Sequence, residues 1–227
     1  MKERIIKYPG KHIDVYFTVD RCTHVAECIR TSPKAFDSTR RPWIIADAAE
    51  PDQVALAVLR CPTGALHFKR KGGGPEEGVP DKNTGSVCRN GPLYLQGDLE
   101  IRNFDQTLIV KDTRIALCRC GRSRIMPLCD DSHKTGGFED PDKYSAGRIQ
   151  DQTAQGALVV TLRKNGPLDL KGPIEITDPA GTLLFRGGRI SLCRCGKSER
   201  MPFCDNSHAQ SGFQTEDEIV LYPKRES

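Results

Sequence analysis

Two groups of cysteine and histidine side chains recur with one spacing, Cys-x-Cys-x8-Cys-x3-His. They comprise Cys118, Cys120, Cys129 and His133, then Cys193, Cys195, Cys204 and His208. Three thiolates and one neutral imidazole are four ligands, the number that a [2Fe–2S] cluster needs at two per iron. The first two cysteines of each group alternate along extended chain and can share one iron. The third cysteine and the histidine are about one helical turn apart and can share the other.

Structural zinc is the main alternative, because zinc also takes three cysteines and a histidine. Zinc ribbons and fingers favour Cys-x2-4-Cys knuckles, which a Cys-x-Cys pair with a distant third cysteine fits poorly. Disulfides are disfavoured because the N-terminal sequence lacks the apolar core of a secretion signal. We therefore expect two [2Fe–2S] clusters, with zinc and disulfides as the alternatives. Since imidazole replaces one thiolate, the expected potential lies between those of plant-type ferredoxins and Rieske centres.

The two groups lie in an internal duplication. A shift of 75 residues aligns Gly91–Phe138 with Gly166–Phe213 without a gap, and about half of the 48 positions are identical. Alternating apolar residues broken by Gly, Pro, Asn and Asp predict short strands in each copy. These strands are Leu93–Ile101, Thr107–Val110, Leu168–Ile176 and Thr182–Phe185. Asp130 and Asp205 are good N-cap residues and predict short helices that start there.

The cysteine-bearing stretches CRCGRSRIMPLCDDSH and CRCGKSERMPFCDNSH resemble the signature of the CDGSH iron–sulfur, or NEET, family. Matching positions beyond the ligands are Ser123, Pro127, Asp130, Ser132, Ser198, Pro202, Asp205 and Ser207. The family's glycine is replaced by Asp131 and Asn206, the residue types that best tolerate a positive φ. NEET proteins are homodimers with intertwined strands. The resemblance therefore implies that the tandem copies form an intertwined, pseudo-two-fold β structure within one monomeric chain.

A different cysteine pattern occupies the N-terminal region. Cys22, Cys28 and a remote Cys61-Pro62 resemble a divergent single-cluster bacterial ferredoxin, in which Val25 stands where the middle cysteine would be. Valine cannot ligate iron, so three cysteines favour a [3Fe–4S] cluster. A [4Fe–4S] cluster with an outside ligand such as His24 or water, and a site that binds nothing, are the alternatives.

The chain as a whole is predicted to be α+β, with four segments. Residues 1–70 form a small ferredoxin-like domain, 71–85 a Gly/Pro-rich linker, and 86–150 and 157–227 the two β-rich repeats. In the first domain, the pattern predicts strands at Asp14–Val19, Trp43–Ala46 and Ala65–Phe68 and helices at Val25–Thr31 and Pro51–Leu59. Trp43 is the expected core anchor of this domain, and Cys88 is expected to be a small buried residue rather than a ligand.

The composition of the chain argues against several classes of function. The net charge of +4 is mild and the basic residues are interleaved with acids, so nucleic acid is not expected as a partner. The sequence contains no apolar stretch long enough for a membrane span, and a cytoplasmic location is expected. Hydrophobic residues make up 37% and aromatic residues 6% of the chain, which favours small domains stapled by metal.

The motifs favour a carrier over a catalyst. No Ser/His/Asp set, phosphate loop or pair of acid and base carboxylates stands out, so an enzyme is not expected. Ferredoxin-like and CDGSH modules on one chain favour one-electron transfer between redox partner proteins. Storage, sensing or transfer of a cluster to apo-proteins is the alternative.

Overall fold

The computed structural model describes residues 4–140, 144–150 and 155–215. The chain divides into two compact units that meet in the sequence between Gly78 and Val79. The outer ends of the predicted first domain and second repeat, residues 1–3 and 216–227, lie outside the described residues. Within the described ranges, no helix has the length and apolar character needed to cross a lipid bilayer.

The N-terminal unit is a small antiparallel sheet with two helices. Its strands β1, β2 and β3 pair in that order. The element bounds are β1 Ile5–Tyr8, β2 Ile13–Thr18, α1 Glu27–Thr31, α2 Pro51–Leu59 and β3 Leu66–Arg70. Helix α2 has the predicted bounds, because a proline at its first turn fixes the start.

An aromatic cluster lies at the core of this unit. The Trp43 ring contacts Phe17, Tyr8 and Phe36 at centroid distances of 4.8, 6.2 and 6.1 Å, mostly edge to face. Edge-to-face contacts of this kind add to the stabilisation from area burial. Trp43 is thus the core anchor that the sequence predicts. The unit has its own apolar core, separate from that of the repeats.

Three elements of the N-terminal unit differ from expectation. Strand β1 was not predicted. The predicted strand Trp43–Ala46 is wrong, because only Ile44 bridges to another residue, Phe36, and the chain then turns into a 3-10 helix at Ala46–Ala48. Ile44 and Ala46 are buried and Trp43 packs against the core, whereas Ile45 is exposed. Helix α1 begins at Glu27 and not at Val25, because Ala26 has a left-handed conformation with φ 64°.

The second unit is a six-stranded sheet with three strands from each repeat. The strands are β4 Thr84–Val87, β5 Leu93–Arg102, β6 Leu108–Leu117, β7 Leu158–Leu162, β8 Leu168–Thr177 and β9 Leu183–Leu192. Sequence patterns do not predict β4 and β7, and they end the third strand of each repeat seven residues early. Strand β4 begins within the last two residues of the expected linker. Mixed helix and strand content places the chain in the predicted α+β class.

Pairing in this sheet joins the two repeats. Strand β4 lies antiparallel to β5 of its own repeat and parallel to β8 of the other, whereas β7 lies antiparallel to β8 and parallel to β5. Thr84 is opposite Glu175, and Val159 is opposite Glu100. The 75-residue shift of the duplication converts the first pair into the second. Each repeat therefore contributes one short strand to the edge of the other's hairpin.

One apolar core serves both repeats. Alternate residues of β5 and β8 point into it, as the two-residue period of a strand requires. Its fully buried members include Leu95, Leu99, Ile101, Leu158, Leu170 and Ile176. Because residues of both copies line the same core, neither repeat buries its apolar face alone.

Candidate metal centres

Each Cys-x-Cys segment follows directly on a long strand and is held by a loop that folds back on it. In the first repeat, Cys118 N–H donates to the Pro127 carbonyl at 2.8 Å and Cys129 N–H donates to the Ala116 carbonyl at 2.9 Å. Equivalent bonds in the second repeat run from Cys193 to Pro202 and from Cys204 to Ser191, both at 2.9 Å. These bonds bring the third cysteine beside the first two, although eight residues separate them in sequence.

The side chains of each site come together in two close pairs. In the first repeat, the sulfurs of Cys118 and Cys120 are 3.6 Å apart, and Cys129 Sγ is 3.4 Å from His133 Nδ1. In the second repeat, the matching distances are 3.7 Å for Cys193 and Cys195, and 3.5 Å for Cys204 and His208. These are the pairs that the sequence assigns to single irons.

The two pairs of a site do not converge on a single point. Ligands of a tetrahedral zinc ion lie about 3.8 Å from one another, since Zn–S bonds are about 2.3 Å long. Among the described residues, three metal-binding donors lie within 4.8 Å of one another at Cys129, Asp131 and His133. Cys118 and Cys120 are outside that group. The four cysteine and histidine donors thus form two pairs rather than one tetrahedron.

The replaced family glycine has the backbone conformation that the sequence predicts. Asp131 has φ 69° and Asn206 has φ 73°, both in the left-handed region. The prediction that Asp130 and Asp205 are the N-caps is wrong by one residue, because Asp131 and Asn206 occupy the cap positions and make no side-chain cap bond. The aspartates instead accept from the backbone N–H two residues on, at Ser132 and Ser207. The helices are shorter than expected, because α3 spans Ser132–Thr135 and its counterpart is a single 3-10 turn. So short a helix has little dipole, and hydrogen bonds rather than the dipole position the histidines.

Burial controls the acidity of the thiols. Loss of hydration raises the pKa of Cys129 to about 12 and that of Cys195 to about 11. A hydrogen bond between Cys118 and Cys120, together with burial, raises the pKa of Cys118 well above its usual value. The same bond lowers the pKa of Cys120 to about 7. A metal cation that binds such thiols displaces their protons to solvent, and the metal–thiolate bonds replace the hydration that burial removes.

Burial also keeps the first histidine neutral. Loss of hydration lowers the pKa of His133, and the carboxylate of Asp131, 4.0 Å from its Nε2, acts in the opposite direction. A neutral ring is the form that can bind metal. Cys129 and His133 are buried, whereas Cys204 and His208 are half-buried, so the second site is the more accessible.

A buried arginine between the first two cysteines is a feature that our reading of the sequence missed. Arg119 forms a bidentate pair with Asp140 at 2.6 and 2.7 Å, and both side chains are 2% exposed. Its other donors bind the carbonyl oxygens of Gly91 and Cys88, and the Tyr144 hydroxyl donates to Asp140. The Cys-Arg-Cys triplet, which recurs in both repeats, was the sequence pattern that could have indicated this arginine. The half-buried Cys88 thus contributes its carbonyl rather than its sulfur.

The second repeat reproduces this arrangement without the acid. Arg194 donates to the carbonyl oxygens of Gly166 and Arg163 and lies over the Phe213 ring at 5.3 Å. At the position of Asp140 stands Thr215, which exchanges hydrogen bonds with Asn165. No described carboxylate pairs with Arg194, and burial lowers its pKa to about 10.

The two Cys-x-Cys loops contact each other through glycines. Gly121 and Gly196 have φ angles of 73° and 72°. A Cβ at Gly121 would lie 2.5 Å from the Cys195 carbonyl oxygen, and one at Gly196 would lie 2.5 Å from that of Cys120. Atoms that close overlap, so only glycine allows the two loops to approach in this way.

In the N-terminal unit, the three predicted cysteines line one cavity. Cys22, Cys28 and Cys61 lie around it together with His24 and Trp43. Burial, together with the neighbouring thiols of Cys61 and Cys22, raises the pKa of Cys28 to about 11. The cysteines are half-buried, and His24 is exposed at the mouth with φ 51°. The three cysteines therefore line one space.

Comparison with known proteins agrees with these two kinds of site. A family described as iron-binding zinc finger CDGSH type matches residues 90–134 and 165–209, and one described as divergent 4Fe-4S mono-cluster matches residues 8–71. The Escherichia coli K12 protein YjdI, named as uncharacterized, is 39% identical over 64 residues, which are 28% of this chain and 84% of that protein. Its counterpart in E. coli O157:H7 matches equally. No solved structure matches.

The tandem Cys3His loops, the ferredoxin-like cavity and the matching families lead to one conclusion. The chain carries two CDGSH-type iron-binding domains in tandem behind a divergent 4Fe-4S mono-cluster domain, and these domains indicate an iron–sulfur protein.

Proposed function

We propose that the chain is a one-electron carrier that holds two [2Fe–2S] clusters in its Cys3His sites. The observation that carries the proposal is the pairing of donors, at 3.6 and 3.4 Å in the first site and 3.7 and 3.5 Å in the second. Two ligands on each of two irons is the ligation that a [2Fe–2S] core requires. Such a cluster supplies a one-electron couple and no proton chemistry of its own.

The N-terminal unit would add a third redox centre. We propose that Cys22, Cys28 and Cys61 hold a cubane-type cluster in the cavity that they line. Three sulfur ligands suit a [3Fe–4S] cluster, and His24, which also lines the cavity, is the candidate fourth ligand for a [4Fe–4S] cluster. Two or three one-electron centres on one chain support transfer between redox partner proteins rather than catalysis.

For the repeat unit, we propose a pseudo-two-fold, intertwined arrangement in a monomeric chain. Its support is the exchange of strands β4 and β7 between the repeats and the 75-residue relation between the Thr84–Glu175 and Val159–Glu100 pairs. The contact of Gly121 and Gly196 with the opposite Cys-x-Cys loop has the same symmetry. The two clusters would therefore be held on one rigid unit, close to a shared axis.

A second candidate function is donation of a cluster to an apo-protein. The observation that favours it is the exposure of the second site, where Cys204 and His208 are only half-buried. A ligand pair that reaches the surface can exchange iron with an incoming thiol. The first site, with Cys129 and His133 buried, fits this role less well.

Stopped-flow reduction of the anaerobically purified full-length protein tests electron transfer. We expect rapid, reversible bleaching of the visible bands with the iron content unchanged after several cycles. Incubation with an apo-ferredoxin tests the second candidate. Transfer of iron to that acceptor, together with slow or irreversible reduction, would replace electron transfer by cluster donation.

A further inference from the structure

The two Cys3His sites have the same ligands but different buried charges. Arg119 is neutralised by the equally buried Asp140, whereas Thr215 occupies the corresponding position beside Arg194. The surroundings are otherwise matched, since each arginine donates to two carbonyl oxygens and lies over a phenylalanine ring. Among the described residues, the first repeat therefore buries a net charge of zero at this place and the second buries one positive charge.

Arg194 lies close to both sites. In its own repeat it lies between Cys193 and Cys195 in sequence. Burial lowers the pKa of Arg194, and Cys195 together with Cys118 of the first repeat acts in the opposite direction. The glycine contacts explain this position, because Gly121 of the first loop approaches the backbone carbonyl oxygens of Arg194 and Cys195. A charge placed between two sites acts on both.

Some other charge differences between the repeats lie inside the fold. Arg114 is buried whereas its counterpart Arg189 is exposed, and the half-buried Asp169, which replaces Tyr94, acts on the Cys204 thiol.

The remaining differences near the sites are at the surface. Arg124 is replaced by Glu199 in the second copy, but the Arg124 side chain is 78% exposed. The Lys134–Asp131 ion pair of the first copy is neutral, as are Ala209 and Asn206 in the second. Exposed charges are screened by water and salt, whereas a buried charge acts through a much lower effective dielectric. The buried difference at Arg194 therefore acts more strongly on the sites than these exposed differences do.

We infer that the positive charge of Arg194 sets the reduction potentials of both clusters. Thr215 has no carboxylate and therefore leaves this charge without a balancing negative charge at its position. The inference rests on the proposed [2Fe–2S] sites. Reduction adds one electron from the donor to a cluster, without making or breaking a bond, and lowers the cluster's charge by one. A fixed cation nearby stabilises the reduced form, so Arg194 raises both reduction potentials. Arg119 contributes little because Asp140 cancels its charge.

The test compares Thr215→Asp with Thr215→Asn in the full-length protein. The two side chains have nearly the same shape and differ in charge. The position tolerates an aspartate, because Asp140 occupies it in the first repeat and exchanges hydrogen bonds with an asparagine there. Iron and sulfide are counted first, and both midpoint potentials are then measured by EPR-monitored titration. We expect Thr215→Asp to lower both potentials and Thr215→Asn to leave them near the wild-type values.

The outcomes separate the inference from the proposed function. If the wild-type protein holds no [2Fe–2S] clusters, the proposed function fails. If clusters are present in full number but Thr215→Asp and Thr215→Asn give equal potentials, the inference about Arg194 is overturned. Should Thr215→Asp not fold, Arg194→Gln and Arg194→Lys repeat the comparison, and only the glutamine variant should lower the potentials.

A further variant addresses the acidic residues that follow Thr215 in sequence, which lie outside the described residues. Glu216, Asp217 and Glu218 are changed together to the corresponding amides. We expect the two potentials to stay where they are in the wild-type protein. A rise at both clusters would show that one of these acids already balances Arg194, and the inference would then be wrong.

Discussion

The N-terminal unit and the repeat unit hold their candidate ligands in different ways. In the first, three half-buried cysteines surround a cavity on a sheet that has its own apolar core around Trp43. In the second, donors are held in close pairs, and the apolar core and the sheet are shared by two copies. The comparison indicates two ways to position metal ligands. They can lie on a unit that has its own apolar core, or on a unit whose core is formed jointly by two repeats.

The largest effect should come from separating the two repeats. Residues 86–150 alone lose the edge pairing with β8 and half of their core, so we expect an unfolded chain or a dimer. Residues 2–78 alone keep their whole core and should fold. Circular dichroism and sedimentation of the two fragments make the comparison. A stable monomer of residues 86–150 carrying one cluster would contradict the interdependence of the repeats.

A smaller but still large effect is expected at the contact between the two Cys-x-Cys loops. Gly196→Ala meets both a left-handed backbone, at a cost of about 1–2 kcal/mol, and overlap with the Cys120 carbonyl, at about 1–3 kcal/mol more. Gly212→Ala is the matched control, because its φ is 66° and a Cβ there would meet no described atom within 4 Å. Urea unfolding of both variants should show a clearly larger loss for Gly196→Ala. Equal losses would show that the loops do not depend on this contact.

Mildly acid buffer should destabilise the clusters at the two sites that contain a histidine ligand. His133 has a lowered pKa in the fold, so as pH falls below about 6.5 the unfolded chain takes up a proton that the buried ring resists. The stability that the neutral ring contributes is present at higher pH and is lost as pH falls. Protons also compete with iron for the same nitrogen. We expect the visible absorbance to decay in mildly acid buffer and His133→Cys to slow the decay of the first cluster.

The matched control for acid is His208→Cys, which should slow the decay of the second cluster and leave the first unchanged. Each cysteine variant should also lower the potential of the altered site, since a thiolate adds negative charge. If neither substitution alters the rate of decay, histidine is not the acid-sensitive ligand.

The smallest effect is expected from His24→Ala. If three cysteines alone hold a [3Fe–4S] cluster, the low-temperature EPR signal of the N-terminal site should be unchanged by this variant. Cys28→Ser provides the contrast, because loss of one of three ligands should abolish the signal. A change from a [4Fe–4S] to a [3Fe–4S] spectrum in His24→Ala would identify His24 as the fourth ligand.

The sequence predicted the parts of the sites that depend on local spacing. The Cys-x-Cys pairs, the positive φ at Asp131 and Asn206, and helix α2 all follow from residues that are neighbours in the chain. The exchange of β4 and β7 could not be predicted from residues, because each strand is only four or five residues long and its partner is in the other repeat. The NEET resemblance implied intertwining but not the registers.

The burial of the two arginines could not be predicted from the sequence either. Arg119 meets Asp140 only after a loop of 21 residues, and an arginine in a sequence is usually at the surface. Its burial became visible only from the fold. The predicted strand at Trp43–Ala46 failed for a related reason, since a short apolar run can serve a core without pairing in a sheet.

The central claim is that the two Cys3His sites each hold a [2Fe–2S] cluster, and metal analysis of two matched variants tests it most directly. Cys129→Ser and Cys204→Ser are purified anaerobically in the full-length protein, and iron, sulfide and zinc are counted per chain. We expect each variant to lose about two irons and two sulfides relative to the wild type, which is one cluster, and to keep the other cluster's visible spectrum. Full iron content in both variants, or zinc without sulfide in the wild type, would contradict the claim.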